Sequence, residues 1–137
     1  MYKRTITYTD YNGTERSETF YFNFSKAELA ELQLSTDGGL ENYIQRIVEA
    51  QDTKELIKVF KDLILRSYGE KTDDGKRFIK SKELSEAFSQ TEAYSELFMV
   101  LATDDKLAAE FINGILPSDL QEEMAKAQQT VRLPSVN

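Results

Sequence analysis

The sequence contains no cysteine and no histidine. Thiol nucleophiles, disulfides, imidazole bases and the commonest zinc ligands are therefore absent together. Long apolar runs are missing too. The longest, Leu97 to Ala102, falls far short of the roughly 20 residues that span a bilayer. The basic start Met1-Tyr2-Lys3-Arg4-Thr5 is not followed by the apolar stretch of a secretory signal, so the chain is expected to stay in a cytoplasm. Basic residues are in the minority, with a formal charge of −7 over 137 residues. An acidic surface repels phosphate backbones, so neither nucleic acid nor membrane is an expected partner. Such a surface instead keeps a protein dissolved while it handles an aggregation-prone partner.

The same scarcity extends to catalytic patterns. Serines are many, but no imidazole is present to activate one. Gly38-Gly39 is too little glycine for a phosphate-cradling loop. The acid pairs Asp73/Asp74 and Asp104/Asp105 stand where turns and helix starts use Asp, and neighbours in sequence diverge rather than converge on a metal or a scissile bond. The expectation is a protein that is not an enzyme and holds no cofactor or metal.

What is present reads as a domain of ordinary soluble composition, 40% apolar and 30% charged. Residues 2–10 alternate with a period near two, placing Tyr2, Arg4, Ile6 and Tyr8 on one face and Lys3, Thr5, Thr7 and Thr9 on the other. Asn12-Gly13 is a strong hairpin signal, and residues 15–24 return with Phe20, Phe22 and Phe24 in alternation. One face of this hairpin is aromatic, fit to pack on helices or, as the alternative, to meet a partner. Ser25-Lys26-Ala27-Glu28 has the pattern of a capping box, with Phe24 and Leu29 spaced as a hydrophobic staple, and opens a short helix over 26–33.

A second helix is expected over Leu40 to Ala50 and a third over 53–68. In the third, Leu56, Phe60, Leu63, Ile64 and Ser67 form a stripe that Ile57 and Val59 widen, the pattern of a central buried helix. Gly69 suits the left-handed residue just past a helix end. The stretch 69–80 invites comparison with a calcium loop, but with Gly75 in sixth place the first, third and twelfth positions fall on Glu70, Thr72 and Ser81, a poor ligand set. A tight turn with Asp74-Gly75 at its tip, and a short second hairpin tucking Phe78 and Ile79 inward, fits better. Lys71, Lys76, Arg77, Lys80 and Lys82 read as a solvated turn, or alternatively as a dock for an acidic partner.

Ser81 can cap a helix through Phe88, and Thr91 the apolar one that follows, over 92–102. Tyr94, Leu97, Phe98 and Leu101 share a face there. Thr103-Asp104-Asp105 ends that helix and caps the next, over 104–116, in which Leu107, Ala108, Phe111, Ile112 and Ile115 align until Pro117. Ser118 to about Gln129 reads as a polar helix with a thin stripe of Leu120, Met124 and Ala127, followed by a frayed tail. The expected fold is α+β and predominantly α-helical, an N-terminal β-hairpin followed by about six or seven short helices. One domain spans 1–117 (hairpin 2–24 plus a helical bundle), and 118–137 is a polar C-terminal helix and flexible tail.

Taken together and in order, Gly39 to Ile44, Ser67-Tyr68-Gly69-Glu70-Lys71, Asp74 to Ser81, Phe88 to Phe98 and Phe111-Ile112-Asn113-Gly114-Ile115-Leu116-Pro117 resemble the tail assembly chaperones of long-tailed phages and prophages of Gram-positive bacteria. The resemblance runs from Tyr2 to Pro117, and no family pattern is evident after it. It implies a non-enzymatic protein of the host cytoplasm that binds the tape measure protein, keeps it soluble, helps recruit tail tube protein and is absent from the finished virion. Self-association and a longer product made by ribosomal frameshifting are also implied. The family brings no catalytic residues with it. Physically, helices 92–102 and 104–116 offer a groove for an apolar helix, with Phe88, Tyr94, Leu97, Phe98, Phe111 and Ile112 as candidate partner-binding residues. The alternative is a structural tail component, its hairpin adding strands to a tube or ring.

Overall fold

The structure, a computed structural model, describes residues 1–35 and 53–117. Strand β1 (Tyr2–Thr9) pairs antiparallel with β2 (Glu15–Phe22) over its whole length, from Tyr2 opposite Phe22 to Thr9 opposite Glu15. The turn is not a two-residue Asn-Gly turn. The Gly13 amide donates to the Asp10 carbonyl at 2.9 Å, Gly13 takes φ of 81°, and the Asp10 carboxylate accepts from the Asn12 and Thr14 amides at 2.9 Å each. This is a longer loop closed by an Asp side chain, with glycine supplying the left-handed residue.

Helix α1 (Lys26–Ser35) starts at the expected capping box. The Ser25 amide donates to Glu28 Oε1 at 2.9 Å and the Glu28 amide to Ser25 Oγ at 3.1 Å. Helix α2 (Thr53–Ser67) runs directly into β3 (Tyr68–Lys71), which pairs with β2 at Tyr21–Gly69 and Phe22–Tyr68 and with β4 (Phe78–Ile79) on its other side. The second hairpin thus joins the first in a four-stranded antiparallel sheet of order β1-β2-β3-β4. Its turn carries Gly75 at φ 75°, and Asp74 Oδ1 accepts from the Thr72 hydroxyl at 2.6 Å and the Lys76 amide at 3.0 Å. Gly69 is no left-handed cap. It lies inside β3, where an added Cβ would stand 2.7 Å from the Ile79 carbonyl oxygen.

Three helices complete the described fold: α3 (Lys82–Ser89), α4 (Glu92–Thr103) and α5 (Asp105–Ile115). Against about six or seven expected, the described residues hold five helices, and the helices expected over 40–50 and 118–129 lie outside them. The short second hairpin expected between residues 69 and 80 is present as β3 and β4, with Phe78 and Ile79 half-buried in β4.

The helices cover one face of the sheet. On that face Tyr2, Arg4, Ile6 and Tyr8 alternate inward, while Lys3, Thr5, Thr7 and Thr9 are exposed, as their period of two requires. Phe22, at 0% exposure, is the centre of the core. Its ring lies 5.7 Å from Phe111, 5.8 Å from Tyr68 and from Phe88, and 6.1 Å from Tyr2. Tyr68 and Phe88 stack at 4.3 Å with rings 7° from parallel. Burying a Phe side chain contributes roughly 1.5–3 kcal/mol, and each favourable ring pair about 0.5–1.5 kcal/mol more, so these rings hold sheet and helices together. Ser67, the single buried polar side chain among the described residues, donates to the Leu63 and Ile64 carbonyls at 2.6 and 3.2 Å and so costs little. The chain leaving β2 is tied on both sides, with the Asn23 amide donating to the Ser67 carbonyl and the Phe24 amide to the Ile115 carbonyl, each at 2.8 Å.

Candidate partner-binding surface

Helix α4 begins where the sequence places it. Thr91 Oγ1 accepts from the Tyr94 amide at 3.2 Å, and Glu92 follows in the first turn, beside the positive end of the helix dipole. The helix ends at Asp104, whose carboxylate accepts from the Lys106 and Leu107 amides at 3.1 Å each and starts α5. One residue therefore closes α4 and caps α5, which sets the angle between them.

The buried stripe of α4 is Ala93, Leu97 and Leu101, four residues apart. Of the face read as Tyr94, Leu97, Phe98 and Leu101, Leu97 and Leu101 are in this stripe, while Tyr94 and Phe98 stand one residue, about 100°, round the helix from Ala93 and Leu97. On the β1 side, Glu96 and Val100 line a small cleft with Arg4, Ile6 and Thr7. On the next flank Tyr94 and Phe98 are half-buried. Tyr94 meets Phe88 edge-on at 5.8 Å and Phe98 at 6.0 Å. Burial pushes the Tyr94 phenol above its usual range, so it is neutral at any ordinary pH. Beyond this flank Met99 is 55% exposed.

The six candidate residues divide evenly. Phe88, Leu97 and Phe111 are inside the core and present no surface. Tyr94, Phe98 and Ile112 are half-buried and packed against the core from its edge. The apolar surface of this region is thus the half-buried Tyr94–Phe98 flank, with Met99 exposed about 100° further round α4; separately, Ile57 of α2 is 45% exposed. Ile57 was expected to widen the buried stripe of α2 and does not, whereas Val59, Leu63 and Ile64 are buried as expected.

A second feature is an open groove of about 640 Å³ between α1, the end of α2 and the start of α3. Phe24 and Leu65 are its apolar part, and Glu28, Glu31, Arg66 and Lys82 stand around them. One wall is fixed by Lys80, whose Nζ lies 2.6 Å from Glu28 Oε2 and 4.6 Å from the centre of the Phe24 ring. Lys80 was expected in a solvated turn. It is half-buried instead, and burial draws its pKa below the usual lysine value despite the neighbouring carboxylate. Burial alone would raise the pKa of Glu28, but the Lys80 ammonium and the Ser25 amide prevail and hold it below the usual carboxylate range. The two partners are 52 positions apart, and no local pattern marks the pair. The other cations of the group, Lys71, Lys76, Arg77 and Lys82, are exposed as expected.

Among the described residues no three carboxylates gather into a cation-binding set, and no helix is long and apolar enough to cross a membrane. No curated protein and no solved structure matches the chain. A family does match, over residues 1–136. The match extends past Pro117, where no pattern was evident from the sequence, and takes in the polar C-terminal stretch. With that coverage of nearly the whole chain, the protein belongs to the phage tail assembly chaperone family.

Proposed function

We propose that this chaperone binds the tape measure protein of its phage in the host cytoplasm, keeps it soluble while tail tube protein assembles around it, and is absent from the finished virion. The observation that carries the reading is the family match over residues 1–136. The surface is compatible with it: the half-buried Tyr94 and Phe98 form an apolar flank on α4 that suits one side of an amphipathic helix, and Met99 is exposed about 100° further round. Methionine adapts to varied partners because its side chain is unbranched and polarisable. The flank is small, with the Tyr94 ring already held by Phe88 and the Phe98 ring by Tyr94, which suits a client that tube subunits must later displace. The role is non-catalytic and needs no cofactor. Self-association, and a longer frameshifted form contacting tube protein, belong to the same reading.

Co-expression with the tape measure protein of the same phage tests it. The expected result is a soluble tape measure protein that co-purifies with the chaperone, and loss of that complex when Phe98 is replaced by Ser. An insoluble, unbound tape measure protein, with this chain and with any longer form alike, refutes the reading.

The alternative is a structural tail component. It is favoured by one observation: β1 is a sheet edge eight residues long, and such an edge can accept a strand from a neighbour. Mass spectrometry of purified virions separates the two, since a retained component is found there and a chaperone is not.

A further inference from the structure

Of the two ends of the sheet, β4 offers a strand of two residues and β1 one of eight. Among the described residues nothing pairs with the outer side of β1. Its ladder with β2 runs without a bulge from Tyr2 to Thr9, and it contains no proline. Its charges, Lys3 and Arg4, stand at one end and leave Thr5-Ile6-Thr7-Tyr8-Thr9 uncharged. The devices that keep a sheet edge from pairing are therefore missing along most of β1.

The direction of the backbone groups follows from the turn. The Asp10 amide donates to the Thr14 carbonyl at 2.8 Å, so Asp10 turns its backbone groups toward the returning strand. Alternation gives the same direction to Tyr8, Ile6 and Arg4 and turns the groups of Lys3, Thr5, Thr7 and Thr9 to the free edge. The hydroxyl contacts Thr5–Thr19 at 2.9 Å and Thr7–Ser17 at 3.3 Å agree, since side chains come closest in pairs whose backbones do not bond each other. Beside this edge lies the cleft that Arg4, Thr5, Ile6 and Thr7 share with Glu96 and Val100 of α4. Four consecutive residues of a strand line one cleft only along its edge, because their side chains alternate between faces.

A second copy of β1 matches this edge by symmetry. Outward residues must face outward residues, which leaves two registers of greatest overlap, Thr5 opposite Thr5 or Thr5 opposite Thr7. The first sets the two Arg4 side chains diagonally beside each other. The second puts Arg4 opposite Tyr8 and diagonal to Asp10, and keeps like charges apart. The cleft of each copy, with its Glu96, then opens onto the Arg4 of the other.

We propose that β1 pairs antiparallel with β1 of a second copy, Thr5 facing the second copy's Thr7 about a two-fold axis at Ile6. Two four-stranded sheets become one continuous antiparallel sheet. The facing pairs Lys3–Thr9 and Thr5–Thr7, each formed twice, exchange about eight backbone hydrogen bonds. This rests on the self-association in the proposed function and gives it a surface; a chain that captures tape measure protein as a monomer would refute it and leave the rest of that function standing.

Sedimentation velocity of the full chain is expected to show a dimer, and Thr7→Pro to reduce it to monomer, since proline deletes an outward donor and no bond to β2. Unchanged far-UV circular dichroism is the check that this variant folds. The absence of cysteine allows a second test that leaves the backbone donors in place. Thr5→Cys and Thr7→Cys chains are oxidised separately and as a mixture. Facing residues of a bonded pair stand about 5.5 Å apart at Cα, within disulfide reach, whereas like positions are displaced by two residues, about 7 Å along the strand. The mixture is expected to form disulfide-linked dimers about tenfold faster than either chain alone. A monomeric chain, a dimer that a folded Thr7→Pro leaves intact, or disulfides no faster in the mixture would each overturn the proposal. An intact dimer with lost tape measure capture in Thr7→Pro would overturn it too, and assign the edge to a strand of the client.

Discussion

Two glycines of the second hairpin should respond in opposite ways to the same pair of substitutions. Gly69 is inside β3 with no left-handed φ, and a Cβ there would stand 2.7 Å from the Ile79 carbonyl oxygen and 2.7 and 2.9 Å from ring atoms of Phe78. Carbon contacts are comfortable only at about 3.5–4.0 Å, so the neighbours must move. The Phe78 ring can turn aside, but the Ile79 carbonyl belongs to a ladder of just two residue pairs, Glu70–Ile79 and Lys71–Phe78. Gly69→Ala should therefore cost about 1–3 kcal/mol, the usual range for overpacking, less a few tenths to 1 kcal/mol for the lost entropy of the unfolded chain. Gly69→Asn is larger and should cost at least as much. Gly75 is the contrary case. It has φ of 75° and nothing within 4 Å of an added Cβ, so only backbone conformation opposes substitution. Gly75→Ala should cost roughly 1–2 kcal/mol, and Gly75→Asn less, since asparagine enters the left-handed region readily. Urea unfolding followed by far-UV circular dichroism gives all four values. If Gly69→Asn proves milder than Gly69→Ala, Gly69 is acting as a left-handed helix cap and does not belong to β3.

Asp104→Ala removes the acceptor of the Lys106 and Leu107 amides and should cost about 0.5–2 kcal/mol in the same assay. Leu97→Ala, at a site 1% exposed, should cost about 2–5 kcal/mol, whereas Phe98→Ser on the half-buried flank should cost less stability but more tape measure capture in the co-purification assay. For Glu28 the folded carboxyl has the lower pKa, so its contribution to stability is present above the unfolded value of about 4.3 and fades as the pH falls through the folded one. The stability gap between the wild type and Glu28→Gln should accordingly be open at pH 7 and close in acid; a gap independent of pH would show that the Lys80 pairing does not favour the charged form.

Local signals were legible wherever a single short stretch decides the outcome. The capping box at Ser25 and Glu28, the caps at Ser81, Thr91 and Asp104, the alternation of Tyr2 to Tyr8 and the turn at Asp74-Gly75 all depend on neighbours within about five positions. The hairpin and the caps were therefore available from composition and spacing, and so was the family, carried by short pieces in a fixed order. Helix faces were less legible. Periodicity located the apolar side of α4 but not which of its two edges faces inward, because alanine serves both in cores and on surfaces and the burial of Ala93 depends on what packs against the helix.

What needed the tertiary structure involves residues far apart in sequence. Gly114 falls in the middle of a helical pattern with no local reason, and the reason is Tyr2, whose ring would stand 2.9 Å from an added Cβ. Gly69 reads as a helix end from its place after α2, yet the crowding that requires glycine comes from Phe78 and Ile79 across the turn. Lys80 belongs by sequence to a cluster of solvated cations, and only the arrival of α1 brings Glu28 and Phe24 to it. The sequence by itself determined the local elements, the lack of thiol and imidazole chemistry and the family, because those depend on residue type and short spacing. The tertiary structure decided which apolar residues are core and which remain on the surface, because burial depends on what the rest of the chain brings alongside.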